Sequence, residues 1–145
     1  MNISIASDHR GLNLKTNIIN FIQQNTQHNI FDQGPYDDQS TDYPDYAQKV
    51  CTDIINRTAH RGILICGSGL GMSMAANRFK GIRAALCTCY EQVVSSRRHN
   101  NANIIVFPAD LLASQLICKW LEIWLNTDFD GDRHQRRIKK LDNFS

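Results

Sequence analysis

The fold is decided by the stretch Gly62-Ile63-Leu64-Ile65-Cys66-Gly67-Ser68-Gly69-Leu70-Gly71. Its apolar run predicts a buried parallel strand that ends at Cys66, and a helix is predicted after the glycines. The alternate glycines let the backbone turn sharply and expose N–H groups that favour anions. Because ligands bind at the carboxyl ends of strands in open α/β sheets, this segment predicts a binding site as well as a turn.

Strand and helix patterns alternate along all 145 residues. Apolar spacing predicts strands at 2–7, 28–32, 63–66, 82–87 and 102–107. Helices are predicted at 11–25, 44–57, 72–78, 91–98, 109–125 and 133–141, the last within a basic segment at about 131–142. Five β–α alternations without a long linker predict one α/β domain over residues 1–145, with a single parallel sheet between two helical layers.

Composition places the chain among globular proteins and excludes several other classes. Apolar residues make up 42% and charged residues 21%, and the net charge of +2 is too small to argue for nucleic acid. No apolar run approaches the ~20 residues of a membrane span, and the charged segment from Asp8 to Arg10 comes too early for a signal peptide. The 5 cysteines lack metal-ligand spacing. We therefore expect a reduced, cytoplasmic protein with neither a nucleic-acid nor a membrane partner.

Two interpretations of Cys66 stay open on local features alone. A cysteine that ends an apolar strand is often a small buried hydrophobe. A cysteine beside exposed backbone N–H groups is in a position that favours the thiolate, which acts as a nucleophile or a general base. The G-x-G-x-G spacing matches neither a dinucleotide fingerprint nor a Walker loop, and a tight turn without a ligand is its alternative. The C-x5-R pattern of cysteine phosphatases fails at Met72.

Other polar residues divide between the two edges of the predicted sheet. Asp8 and His9 follow the first strand and therefore lie at the same edge as Cys66, where they cap a helix or handle a phosphate and a proton. His99 and Asn100 precede the fifth strand and lie at its amino end, which is the wrong edge within one subunit. If His99 acts on the same ligand as Cys66, a long loop or a second subunit must bring it there.

The basic C-terminal segment has a phosphate-binding pattern. Arg133 and Arg137 are four residues apart and share one helix face, where two guanidinium groups suit a phosphate. A solvated basic tail is the alternative, and nucleic acid is a weaker one because no aromatic residues interleave. Tyr43 follows Asp42 and has two interpretations. Either its side chain lines a pocket, or the residue belongs to the start of a helix.

The order and spacing of these motifs resemble one family. The matching segments are Asp8-His9, Thr41-Asp42-Tyr43-Pro44-Asp45-Tyr46-Ala47, Ile65-Cys66-Gly67-Ser68-Gly69-Leu70-Gly71, Gly81-Ile82-Arg83-Ala84, Arg98-His99-Asn100 and Arg133-His134-Gln135-Arg136-Arg137. Together they span nearly the whole chain and resemble the ribose-5-phosphate isomerase B family, which also includes allose-6-phosphate and galactose-6-phosphate isomerases. The resemblance implies a Rossmann-like α/β/α sandwich with a five-stranded parallel sheet. It implies homodimers, sometimes paired into tetramers, with active sites at the dimer interface.

The resemblance also implies a reaction and a role for each site residue. The reaction is a metal-free, cofactor-free interconversion of ribose 5-phosphate and ribulose 5-phosphate through a cis-enediolate, in the pentose phosphate pathway. Cys66 is then the base, and the loop amides around Gly67, Gly69 and Gly71 hold the enediolate oxygen, with Ser68 as a proton relay. The remaining roles are ring opening by His99 with Asp8, contacts to sugar oxygens by Tyr43 and Asn100, and phosphate binding by His9, Arg133 and Arg137.

Two departures from the family pattern and three rival functions accompany this resemblance. Ser68 stands where the family commonly has threonine, and Asp110 stands near a position where it often has arginine, so one basic contact is missing. The rivals are a six-carbon sugar-phosphate isomerase on the same scaffold, a non-catalytic sugar-phosphate binder, and a cysteine hydrolase that uses Cys66 with His99.

Overall fold

The computed structural model describes residues 1–144, and Ser145, the last residue of the predicted domain, lies outside them. The strands are β1 (Asn2–Ser7), β2 (Asn29–Asp32), β3 (Arg61–Cys66), β4 (Ala84–Leu86) and β5 (Ile104–Pro108). The helices are α1 (Leu12–Asn25), α2 (Tyr43–Ile55), α3 (Leu70–Ala76), α4 (Tyr90–Arg98), α5 (Ser114–Asn126) and α6 (Asp132–Asp142). None of these helices is both long enough and apolar enough to cross a bilayer.

All strands pair in parallel in one sheet of order β2-β1-β3-β5-β4, which confirms the predicted α/β class and parallel sheet. Alternate side chains of β3 enter two separate apolar clusters. Ile63 and Ile65 pack in one cluster with α1, α4 and α5, whereas Leu64 and Cys66 pack in the other with α2 and α3. The sheet is therefore covered on both faces, as the apolar runs of its central strands require.

Several element boundaries differ from the sequence prediction. The helix predicted from residue 109 begins at Ser114, because the Ala109 N–H donates to the Cys66 carbonyl at 2.9 Å and the Asp110 N–H donates to the Gly67 carbonyl at 3.0 Å. These bonds hold residues 109 and 110 against the β3 loop, outside a helix. The strand predicted at 82–87 is shorter, Ala84–Leu86, and pairs only with β5 as an edge strand.

An ion pair with a buried lysine joins α1 to the segment that leads into the site. The side chains of Lys15 and Asp32 are 2% and 31% exposed. Lys15 Nζ donates to Asp32 Oδ1 at 2.6 Å and to the Pro35 carbonyl at 2.7 Å. The same carboxylate oxygen accepts from the Gly34 N–H at 2.9 Å. Lys15 therefore holds the end of β2 and the start of the loop that carries the chain toward Tyr43.

Asp32→Asn is expected to lower the free energy of unfolding by about 3 kcal/mol, because it leaves the buried Lys15 ammonium without its counter-charge. Lys15→Met should cost less, since an apolar chain of similar length fills the same space and no charge is left buried. Urea denaturation of both variants at neutral pH shows which of them loses more free energy of unfolding. An equal loss in both variants, or a larger loss in Lys15→Met, would contradict this account of the pair.

Candidate active site

The ends of β1 and β3 meet at the carboxyl edge of the sheet. The Asp8 N–H donates to the Ile65 carbonyl at 3.0 Å, which continues the β1–β3 pairing by one residue and places Asp8 beside Cys66. Asp8 is 7% exposed, and its Oδ1 accepts from the Gly11 N–H at 3.0 Å. The prediction that these two residues share one edge is confirmed. They lie where α1 and α3 leave for opposite faces of the sheet, the usual ligand crevice of such folds.

The Cys66 thiol is enclosed by the glycine loop. Cys66 is 5% exposed, and its Sγ accepts from the Gly69 N–H at 3.2 Å. Gly69 makes this contact from a left-handed conformation with φ of 77°. An amide that donates to the sulfur is the kind of interaction that a reactive thiolate uses.

The surroundings of two other thiols, those of Cys51 and Cys87, differ from the surroundings of Cys66. Cys51 and Cys87 are 0% exposed, and burial raises the pKa of each to about 12. Such thiols stay protonated and inert at neutral pH. Cys66 is instead placed at a strand end with a backbone donor at its sulfur. Of these three thiols, Cys66 is therefore the one whose position suits chemistry.

The glycines of the loop are required by close packing as well as by conformation. A Cβ on Gly71 would lie 2.8 Å from Cζ of the Tyr43 ring, and a Cβ on Gly69 would collide with Leu86. Tyr43 is the first residue of α2, so the ring closes one side of the loop. Ser68 is exposed at the loop surface, and its Oγ accepts from the Leu70 N–H at 3.3 Å.

His9 has one ring nitrogen engaged by the backbone. Its Nδ1 accepts from the Thr41 N–H at 3.3 Å, which assigns the ring proton to Nε2. The ring is partly exposed at the carboxyl edge. This contact also ties the polar loop before α2 to the site.

Arg10 is a residue to which the sequence analysis assigned no role. Its guanidinium forms an ion pair with Asp110, and both side chains lie over Gly67. A Cβ on Gly67 would lie 2.6 Å from Asp110 Oδ2 and 2.9 Å from Arg10 Nε. The adjacent His9 was the only local signal, because the partner Asp110 is 100 residues away in the chain.

The other predicted residues lie at the opposite edge of the sheet. His99 is the C-cap of α4, a helix that runs back from the carboxyl edge to the amino edge. A cavity of about 290 Å³ is lined there by His99, Asn100, His134, Arg137, Ile138 and Leu141. The His99 and His134 rings stack with centroids 4.5 Å apart and planes 11° apart. The prediction that His99 is at the wrong edge for the Cys66 of its own subunit is confirmed.

The charge around this cavity favours an anion over a cation. Removal from water lowers the pKa of His134, and the positive charges of His99, Arg133 and Arg137 lower it further. His99, Asp130 and His134 offer three possible metal ligands within 4.8 Å of one another. However, Asp130 Oδ1 already accepts from Arg98 Nε at 3.1 Å, an interaction that lowers the pKa of Asp130. With the α6 arginines beside it, the cluster suits a phosphate better than a metal ion.

The predicted site residues therefore form two groups. The carboxyl-edge group comprises Asp8, His9, Tyr43, Cys66, Gly67, Ser68, Gly69 and Gly71. The amino-edge group comprises His99, Asn100, Arg133 and Arg137. The first has the thiol and the glycine loop, and the second has His99 and the two arginines of α6.

Comparison with known proteins gives one consistent family. The model of the Ribose/Galactose Isomerase family matches residues 3–141. The chain is similar to the crystal structure of a ribose 5-phosphate isomerase from Thermotoga maritima, with a TM-score of 0.96 and 47% identity over 99% of this chain and 98% of that chain. A Clostridium thermocellum ribose-5-phosphate isomerase B gives a TM-score of 0.96 and 40% identity over 98% and 95% of the two chains. Escherichia coli ribose-5-phosphate isomerase B is 34% identical over 140 residues, 96% of this chain and 93% of that protein.

Gly69→Ala is expected to lower the free energy of unfolding by about 2 kcal/mol, because an L side chain is strained at this φ and its Cβ meets Leu86. Ser68→Ala is the matched control, since its side chain is exposed in the same loop, and it should stay within about 0.5 kcal/mol of the wild type. Urea denaturation compares the two. A loss in Ser68→Ala equal to that in Gly69→Ala would contradict the packing described for the loop.

Proposed function

The chain belongs to the ribose/galactose isomerase family of sugar-phosphate isomerases, and we propose that it interconverts ribose 5-phosphate and ribulose 5-phosphate. The observation that carries this proposal is the Cys66 thiol, which is enclosed by a loop of backbone donors at the carboxyl edge of the sheet. The names of the similar proteins from Thermotoga maritima and Escherichia coli support the five-carbon substrate.

Cys66 and the glycine loop perform the proton transfer in this proposal. The thiolate takes the proton from C2 of the open-chain aldose, and the electrons form a cis-enediolate with negative charge on O1. Amides of the Gly67 to Gly71 loop other than those of Gly69 and Leu70, which donate to Cys66 Sγ and Ser68 Oγ, bind that oxygen. One such donor is worth about 2.7–4 kcal/mol in comparable sites. Ser68 passes the hydroxyl proton from O2 to O1. Cys66 then returns its proton to C1, which gives the ketose.

Ring opening must precede this step, because the furanose form has no free carbonyl. In our proposal His99 donates a proton to the ring oxygen while a carboxylate accepts the proton of the anomeric hydroxyl. Asp8 suits the second role, since its helix cap uses only Oδ1 and its Oδ2 is left for a substrate. Tyr43 and Asn100 bind the sugar hydroxyls. The phosphate is bound by His9, Arg133 and Arg137.

These roles require two subunits, because the amino-edge and carboxyl-edge groups are separated by the length of the sheet. A two-fold axis that brings the amino-edge group of one copy over the carboxyl-edge group of another completes two equal sites. Exposed apolar side chains support such a contact beside both groups. Leu70 and Met74 are 53% and 67% exposed near the thiol loop, and Phe144 is 71% exposed after α6. A homodimer is then the smallest active unit, and a homotetramer of two dimers would keep the same sites.

Cys66→Ala is expected to reduce kcat for ribose 5-phosphate by about 10²–10⁴-fold, because the general base is lost while the binding groups stay. The assay follows formation of ribulose 5-phosphate in EDTA, since the proposed chemistry uses only the chain's own side chains. Cys118→Ala, which removes a thiol of α5 outside both groups, is the control and should keep wild-type activity. Substantial turnover by the Cys66 variant would exclude its role as the base.

The same assay separates the rival functions. Allose 6-phosphate as a second substrate tests whether a six-carbon sugar is preferred. Absence of turnover of both sugars by folded wild-type protein, with binding retained, would favour a non-catalytic sugar-phosphate binder. A burst of product from an ester substrate would favour a cysteine hydrolase.

Mixing two inactive variants tests the two-subunit site. Cys66→Ala and His99→Ala homodimers each lack one essential group at both sites. After unfolding and refolding together in equal amounts, half of the dimers should be mixed, and each mixed dimer should have one intact site. The expected recovery is therefore about one quarter of wild-type activity. No recovery from well-folded mixed dimers would show that Cys66 and His99 do not act across the interface.

A further inference from the structure

Arg10 and Asp110 form an ion pair at the mouth of the thiol loop. The pair joins the turn after β1 to the turn after β5, and the two side chains meet over Gly67, the residue that follows Cys66. The side chains are 61% and 40% exposed. An exposed ion pair of this kind contributes little to stability. A contribution to stability therefore does not explain why the pair lies above the loop.

The backbone holds this pair in place from both sides. The Asp8 carboxylate caps the turn that carries Arg10, through its bond from the Gly11 N–H at 3.0 Å. On the other side the Asp110 N–H donates to the Gly67 carbonyl at 3.0 Å. Because both attachment points are fixed, the ion pair with Asp110 holds the guanidinium over the loop.

The glycine at position 67 provides the room for this arrangement. Any side chain there would begin within 2.9 Å of Arg10 Nε and 3.1 Å of Arg10 Cζ. Gly67 is not in the left-handed region, so its lack of a side chain is explained by the guanidinium and carboxylate that cover it. The guanidinium thus lies directly above the first amide of the proposed enediolate-binding loop.

We propose that Arg10 is a substrate-binding residue that contacts the phosphate of the sugar, with Asp110 as the residue that positions it. This inference rests on the proposed function of the same site. Arg10 follows His9, whose Nδ1 accepts from the Thr41 N–H and whose ring is partly exposed at the same edge of the sheet. One Nη of Arg10 donates to Asp110, and the other N–H groups of the planar guanidinium can donate to a phosphate oxygen.

Phosphate fits this position better than the enediolate does. The reacting carbons must lie against Cys66, which is 5% exposed at the carboxyl edge. Arg10 is at the exposed rim, where the charged end of a sugar phosphate emerges.

The first test is Arg10→Ala, measured with ribose 5-phosphate and with inorganic phosphate. We expect KM to rise about tenfold or more and kcat to change less than about threefold, since a charge-assisted contact to the phosphate is lost from both ground state and transition state. Calorimetric binding of inorganic phosphate should weaken by a similar factor. Arg10→Lys should be intermediate, because it keeps the charge and loses the fork. Lys119→Ala, an exposed cation of α5, is the control and should match the wild type.

The second test exchanges the two charges. Because both side chains meet over Gly67, Arg10→Asp combined with Asp110→Arg keeps a guanidinium above the loop and should recover most of the KM and phosphate affinity lost in Arg10→Ala. A swap variant as weak as Arg10→Ala would overturn the placement. A fall in kcat with unchanged phosphate affinity would assign Arg10 to the enediolate and overturn the proposal.

The phosphate measurement separates this inference from the proposed function. It needs no turnover, so weaker phosphate binding by Arg10→Ala supports the inference even if another sugar phosphate is the substrate. Wild-type activity on ribose 5-phosphate with unchanged phosphate binding and KM in Arg10→Ala would leave the proposed function intact and refute the role of Arg10.

Discussion

The pairing of β1 with β3 is the contact on which the rest of the structure depends. Its register sets Ser7 beside Ile65, and the Asp8 N–H extends the ladder to the Ile65 carbonyl. From these two strands the chain leaves in opposite directions, α1 to one face and α3 to the other. The crevice between them exists because the helices diverge. A slip of one residue in this pairing would turn Cys66 to the other face of the sheet and remove the thiol from its loop.

The central sheet was predictable because its signals are local. The runs of β3 and β5 are apolar on both faces, as buried parallel strands must be, and strand direction alone places Asp8 and Cys66 at one edge. The start of α5 was not predictable in the same way. Residues 109–113 continue a helical spacing, but the carbonyls of Cys66 and Gly67 bind the N–H groups of Ala109 and Asp110. Because the partners are more than forty residues apart in the chain, the local spacing of apolar residues does not reveal this contact.

The site shows the same division between local and distant signals. Strand direction was enough to place His99 at the edge opposite Cys66, and the glycine spacing was enough to predict a sharp turn between β3 and α3. The reasons for the individual glycines lie elsewhere in the chain: Gly71 makes room for Tyr43, and Gly69 for Leu86. The Arg10–Asp110 pair is a still more distant contact. Residue type suggested these groups, but only the fold shows which of them meet.

The separation of cations from the thiol has an energetic consequence for the proposed dimer. On a single subunit, removal from water lowers the pKa of His134, the positive charges of His99 and of the α6 arginines lower it further, and Asp130 offsets only part of this repulsion. A phosphate dianion relieves that repulsion. In the proposed assembly the dianion is bound where the cations of one subunit face the loop of the other, so it holds the two chains together as well as the sugar. Substrate binding and subunit association must then strengthen each other by the same free energy, because the two equilibria share one bound state.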